Sequence, residues 1–412
     1  MGNDNISLKY LVEITKGKKP KYEIDVYSEG LIPYLSMDYL RGKNLSPIYV
    51  DETKDSIVRV NNNDLLILWD GSKAGEIVYG KEGALSSTMA KIDIVSSKVT
   101  KAYLTYFLIH SQADIQGNTV GMGIPHVNGE DLKNLSVYLS SKQTQIRIAE
   151  FLDKKTEEIN AIIEKKEAIL LRLEEKKKAI INEAVTKGLN PNVPMKDSGI
   201  EWIGEIPAHW EISKLKYFVN IKGRLGWKGL KADEYVDSGY GFLSTPDIKN
   251  DDIDFSRINY ITEERYLESP EIMLEKDDIL LVKDGSTLGI INRVKELPIP
   301  STVNSSIAVL RIEDPSLKSE FLFYLLKSNW IQKTIEFLKQ GQGVPHLFQK
   351  DIKEFDLIIP PIKEQEDLVK EIFSRTKIVD ELNLKILSQI EKLKEYRQAI
   401  ISEAVTGKLE IA

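Results

Sequence analysis

The residue types that usually do chemistry are present, but not at the spacings that chemistry needs. The histidines are His110, His126, His209 and His346, and no two form a close pair at metal-ligand spacing. The chain has no cysteine, which removes disulfides and thiolate zinc sites. Gly75–Lys81, GEIVYGK, has P-loop spacing as far as its lysine, yet Glu82 stands where a Ser or Thr would hold magnesium. Its flanks alternate like strand rather than opening a helix, and the matching GIINRVK (Gly289–Lys295) lacks the second glycine, so a hairpin is expected there. Methyl transfer would need a cofactor-binding glycine motif and an Asn-Pro-Pro-aromatic run. Asn190-Pro191-Asn192 lacks the second proline, and no Asn or Asp precedes Pro360-Pro361. A nuclease would need clustered carboxylates beside a lysine and a metal. Strings such as EEKKK (Glu174–Lys178) fall instead in a helical pattern, where they make solvated i,i+4 pairs. No catalytic residue and no metal site is therefore expected in this chain.

What remains is a set of loops that combine glycine with cations. TKGKKPK supplies Lys16, Lys18, Lys19 and Lys21, and the DGSK turn supplies Ser72 and Lys73. Farther along, KGRLGWKGLK supplies Lys222, Arg224, Trp227 and Lys228, and VKDGS supplies Lys283 and Ser286. Glycine lets backbone approach a phosphate, lysine and arginine neutralise it, and Arg224 or Trp227 could reach base edges or stack. Two further loops, GMGIPH with Gly121, Gly123 and His126 and GQGVPH with Gly341, Gln342, Gly343 and His346, read either as hinges or as DNA contacts. In the second, Gln342 has the donor and acceptor pair that suits adenine. The bland reading of all these segments is ordinary exposed turns. The net charge of −7 also lacks a basic footprint, although contact depends on where cations sit rather than on their sum.

The elements that must position these loops are written twice. GMGIPH at Gly121–His126 recurs as GQGVPH at Gly341–His346, and AIINEAVTKGL (Ala179–Leu189) recurs at the same shift as AIISEAVTGKL (Ala399–Leu409). Upstream, LLILWDGSKAG (Leu65–Gly75) matches ILLVKDGSTLG (Ile279–Gly289), and SSTMAKIDI (Ser86–Ile94) matches SSIAVLRI (Ser305–Ile312). LKY at Leu8–Tyr10 recurs at Leu215–Tyr217. A unit of roughly 200 residues is far too long for a solenoid repeat. Each copy opens with a mixed head of short β-rich runs, such as Leu65–Trp69 and Asp278–Val282, with helices predicted at Ala102–Ser111 and Ser319–Lys339. Each head is followed by a long helix, and NPNVPMKDSG (Asn190–Gly199) reads as the linker between copies.

The long helices carry heptads. Leu152, Ile159, Leu173 and Ile180 fall at multiples of seven, with Ile148, Ile162 and Ile169 placed on a companion seam. Ile372, Val379, Ile386, Leu393 and Ile400 repeat the pattern, joined by Leu368 and Leu382. The expected fold is α+β. Two mixed heads (1–142, and 190–363 with the linker) are each followed by a helix (143–189 and 364–412). The helices pair as an antiparallel coiled coil about an internal pseudo-twofold. Roughly 44 residues at about 1.5 Å each make a rod of about 65 Å.

Taken together these motifs resemble the DNA-specificity subunits of type I restriction–modification systems. MKDSGIEWIGEIPAHWE (Met195–Glu211) is similar to the family's opening of a recognition domain. LIIPPIKEQ (Leu357–Gln365) is similar to its passage into the helix. The first copy departs from this, with YLSSKQTQ (Tyr138–Gln145) in place of the proline pair. The resemblance implies a non-catalytic reader of an asymmetric, two-part sequence in double-stranded DNA. It also implies helices that bind two methylase subunits, with restriction subunits docking through that core. S-adenosylmethionine, ATP and magnesium would then belong to those partners, and none to this chain. A cytoplasmic location is expected, since neither a signal peptide nor an apolar run of membrane-spanning length is found. The competing reading is a coiled-coil scaffold that binds only proteins.

Overall fold

A computed structural model describes residues 4–42, 47–200, 202–223, 230, 232–249, 252–339 and 345–411. The chain divides into two compact units, Met1–Glu167 with Leu387–Ala412, and Ala168–Ile386. The division passes through both long helices, Lys142–Lys187 and Ile362–Val405, so each unit holds one head and part of each helix.

The repeat seen in the sequence is a repeat of topology. The first head builds an antiparallel sheet in the order Val12–Lys16, Met89–Ile94, Leu65–Leu68, Ile77–Tyr79. The second uses Val219–Lys222, Ile307–Ile312, Ile279–Val282, Ile291–Arg293 in the same order. The continuous apolar runs LLIL and ILLV are strands buried on both faces. Leu65 and Ile67 enter one core and Leu66 and Leu68 another, while Ile279 and Leu281 part in the same way from Leu280 and Val282. The segment GEIVYGK does form the second arm of a hairpin, with Ile77 opposite Ile67. Each head is closed by pairing its first strand with its last, Ile6 opposite Val137 and Ile212 opposite Ile358.

Three local expectations change. The helix predicted over Ser319–Lys339 is two helices, Ser319–Leu326 and Asn329–Leu338, because Ser328 adopts extended backbone as an N-cap between them. Within the expected linker, Met195–Asp197 is a strand paired with Glu205–Pro207. Beyond Ile148 and Leu368, which are buried, the companion seams are displaced by one residue. Ile162, Ile169 and Leu382 are more than two-fifths exposed, while Ile163 and Ile390 are buried. Adjacent apolar pairs such as Ile162-Ile163 leave heptad phase ambiguous, and packing selects one member.

Leu152, Ile159, Ile180, Ile372, Val379 and Ile400 are buried, and Leu173, Ile386 and Leu393 are half-buried. Within each unit the helices run antiparallel. Lys166 donates to Gln389 (2.6 Å) in the first, and in the second Lys177 pairs with Asp380 (2.7 Å) and Asn383 donates to Glu174 (2.8 Å). These polar seam positions pair across the helices, although Asn383 Oδ1 is buried without a hydrogen-bond partner.

The helix ends are part of the head cores. Ile148, Leu152, Ile400, Ile401, Ala404 and Val405 join the first core, and Ile181, Ala184, Val185, Leu368 and Ile372 join the second. One residue type ties each helix start to its head. Gln145, fully buried, accepts from Thr100 N (2.9 Å) and donates to the carbonyls of Lys98 (2.9 Å) and Ser140 (3.0 Å). Its repeat partner Gln365 accepts from Lys318 N (2.9 Å) and donates to the carbonyls of Ser316 and Pro360 (both 2.8 Å).

Candidate nucleic-acid interface

The loops singled out by composition converge on one recurring device, built where the buried central strand of each head ends. After Leu68 the chain turns through Asp70-Gly71, and Gly71 N donates to Pro125 O (2.9 Å) while Val127 N donates to Trp69 O (2.9 Å). In the second head Gly285 N donates to Pro345 O (3.0 Å) and Leu347 N to Lys283 O (2.9 Å). The aspartate of each turn then accepts from the following loop's histidine. Asp70 Oδ1 takes the Nδ1–H of His126 at 2.6 Å, and Asp284 takes that of His346. The Pro-His end of each loop is therefore fastened to its head.

A lysine completes each device from a different place. Lys16, at the end of its strand, reaches Asp70 at 3.3 Å and lies over the Trp69 ring at 5.5 Å. In the second head Lys283, the turn's own neighbour, pairs with Asp284 at 2.6 Å. Phe348 sits edge-on to His346 at 4.4 Å, with Lys350 over its ring at 5.4 Å. All of these groups are partly exposed, so the pairs orient side chains more than they stabilise the fold.

The first loop stands out from the head as a narrow hairpin, with Val120 and His126 exchanging backbone hydrogen bonds of 2.9 and 2.7 Å. Gly121 there has φ +112°, and a Cβ would fall 2.6 Å from Ile124 O and 2.8 Å from the His126 ring. Only glycine fits beneath that imidazole. Gly123 is exposed at the tip beside a fully exposed Met122.

Lys18, Lys19 and Lys21 lie exposed on the adjoining loop, which Asp55 pins by accepting from Lys21 N (3.0 Å). Tyr22 and Tyr27 on the same loop are each about two-thirds exposed and add stacking surface that the cation pattern had not flagged. The loop starts at Gly17, whose amide bonds Met89 O at 2.9 Å and whose Cβ position lies 2.1 Å from Ser86 O. Gly17→Ala is expected to destabilise the first unit by about 1–3 kcal/mol. Hydrogen exchange should then speed up in Met89–Ile94 and stay unchanged in Ile307–Ile312. Of the other candidates, Ser72, Lys73 and Ser286 are exposed and Lys222 is half-buried at a strand end. Arg224, Trp227, Lys228, Gly341, Gln342 and Gly343 lie outside the described residues.

A second repeated feature was not read from the sequence. In each unit a groove opens between the head and the long helices. The first, about 740 Å³, is lined by Tyr106, Thr156, Asn160, Arg397 and Ile401, with Ser72 and Lys73 at its edge. The second, about 440 Å³, is lined by the repeat-equivalent Tyr324, Thr376, Asp380, Lys177 and Ile181. Burial pushes the phenols of Tyr106 and Tyr324 above their ordinary value, so both stay neutral, and Tyr106 donates to Asp153 at 2.7 Å. The internal match of Tyr106 with Tyr324 was the available signal, hidden by the small change of offset inside the heads.

Comparison with known proteins accounts for this duplicated plan. The family model described as the type I restriction modification DNA specificity domain matches residues 2–172 and 207–392, one match for each copy. The type I restriction enzyme MjaVIII specificity subunit of Methanocaldococcus jannaschii is 30% identical over 403 residues, 97% of this chain and 91% of that protein. The EcoBI specificity subunit of Escherichia coli is 23% identical over 411 residues, 98% of this chain and 85% of that protein. A solved chain, described under the structural basis of complex assembly and conformational transition of the type I restriction–modification system, shares the fold. It covers 99% of this chain and 98% of its own length, with a TM-score of 0.70 at 16% identity. Matched in both copies by one domain model and nearly end to end by a relative at 30% identity, the chain belongs to the DNA-specificity subunits of type I restriction–modification systems.

Proposed function

We propose that each head reads one half of an asymmetric, split DNA target and that the paired helices carry two copies of an adenine methylase subunit. Restriction subunits then dock onto that core. The observation that carries this reading is the way the copies differ. Sheet order, Asp–His turn and helix anchor repeat, whereas the exposed loops around them do not. A shared scaffold with unlike loops suits two readers of unlike half-sites.

The two grooves and the exposed apolar residues of the helices, Ile162, Leu171, Phe373 and Leu384 among them, support protein docking once per unit. S-adenosylmethionine, ATP and magnesium would be held by those partners, and the assembly would act on cytoplasmic DNA. Among the described residues no helix is long and apolar enough to cross a membrane. A methylase that encloses the DNA would also supply positive surface that a chain of net charge −7 lacks.

A genome-wide map of adenine methylation, with and without the gene, tests the reading. Loss of one split, asymmetric motif is the expected result, and an unchanged map would count against it. Exchanging residues 1–140 for another member's head is expected to alter one half-site only. A change in both halves would refute independent heads.

A further inference from the structure

We propose that His126 and His346 are matched phosphate clamps, one in each head, that grip the DNA backbone without reading sequence. The inference rests on the DNA-reading function above and adds the chemistry of one contact. It begins from sameness. Heads that read different half-sites must differ where they touch bases, so a group held identically in both carries no sequence information. The Asp–Gly turn, the Pro-His loop end and the Asp–His hydrogen bond are the parts that do not vary.

The orientation of the rings completes the argument. Each aspartate can only accept, so Nδ1 is the donor, and a neutral ring would then present a lone pair at Nε2. A phosphate oxygen also only accepts. The contact therefore uses the imidazolium, which lies between the aspartate on one side and the phosphate on the other. Among the described residues, no protein partner occupies Nε2 of either ring. The His126 side chain is 45% exposed and that of His346 36%. The charged groups around His126 are Asp70 and, across it, Lys16. Around His346 they are Asp284, Lys283 and, beyond Phe348, Lys350. In each head the lysine offsets the aspartate, which leaves the charge of the imidazolium to face an approaching phosphate.

The experiment uses the chain assembled with its methylase and measures binding to two duplexes, one carrying the target and one without it. His126→Gln and His346→Gln remove the cation but keep a polar side chain. Each is expected to weaken binding to both duplexes by a similar factor, roughly tenfold, and to make the salt dependence shallower by about one unit of log–log slope. The methylated motif should stay unchanged. His126→Lys and His346→Lys, which keep a cation, should retain more of the affinity and of the wild-type salt slope than the glutamine variants. Rescue by the lysine variants separates a lost charge from a poorly folded head.

Unchanged affinity and salt slope in folded glutamine variants would overturn the clamp. An altered base preference in one half-site would overturn it too, by making the histidine a base reader. A wild-type assembly that does not distinguish the two duplexes would instead defeat the underlying DNA-reading function.

Discussion

Replacing Gln365 with leucine should lower the melting temperature of the second unit by about 6–12 °C, the equivalent of roughly 3 kcal/mol. The side chain is fully buried and each polar atom is used. Its oxygen accepts from Lys318 N, and its nitrogen donates to the carbonyls of Ser316 and Pro360. Leucine fills a similar volume but strands one buried donor and two acceptors. Gln365→Glu should be worse at neutral pH, because a carboxylate would face those two carbonyls in a dry site.

The sign of the pH effect follows from burial, which favours the protonated acid and raises the folded-state pKa above the unfolded value of about 4.3. Below that value both states are protonated and the electrostatic penalty is absent. It grows as pH rises, because the unfolded chain ionises first. Thermal melts of the glutamate variant should therefore approach those of Gln365→Leu near pH 4 and fall below them at pH 7–8. A glutamine-to-leucine change without effect would mean that this buried network does not hold helix to head.

Phe373→Glu with Leu384→Glu should convert the proposed two-methylase assembly into one with a single methylase, at unchanged thermal stability of this chain. Both residues line the groove of the second unit and are exposed, Phe373 by 60% and Leu384 by 68%. They lie eleven residues apart, three helical turns, and so share a face. Their repeat equivalents are Asp153 and Glu164, neither of which lines the first groove. Carboxylates on an apolar docking face cost at least the buried area of two side chains and add unpaired charge, so a loss of a hundredfold or more is expected. Native mass spectrometry gives the stoichiometry directly. Loss of both methylases would show that the two sites are coupled, and retention of both would place docking elsewhere.

Much of the architecture was legible because the sequence contains its own comparison. LLIL and ILLV announced a buried strand before a turn, and the shared shift of the PH loops and helices announced a repeated unit. What failed was phase. Ile162-Ile163 and Ile169-Leu170 offer equal apolarity at neighbouring positions, and only packing against the other helix selects the second of each. Of the seam's polar members, Lys177, Asn383 and Arg397 could not be recognised as seam by a search for hydrophobic residues. The histidines were picked out, but their aspartates lie 56 and 62 residues away, and one residue does not announce a hydrogen bond over such a distance. Gln145 and Gln365 stand at the common shift, yet a glutamine near a helix start looks like surface until its three partners are seen.

The first core is closed by the last turns of the second long helix. Ile400, Ile401, Ala404 and Val405 pack within it, Leu409 and Ile411 flank it, and the Tyr103 hydroxyl donates to Val405 O at 3.0 Å, 302 residues away. During synthesis the first head must therefore wait, incomplete, until the second long helix has left the ribosome. Its apolar floor stays open to chaperones or to aggregation in the meantime. Any shortened product that stops before Ala399 would lack that floor permanently. Such fragments should be cleared by proteases rather than persist as single-headed readers that misdirect a methylase.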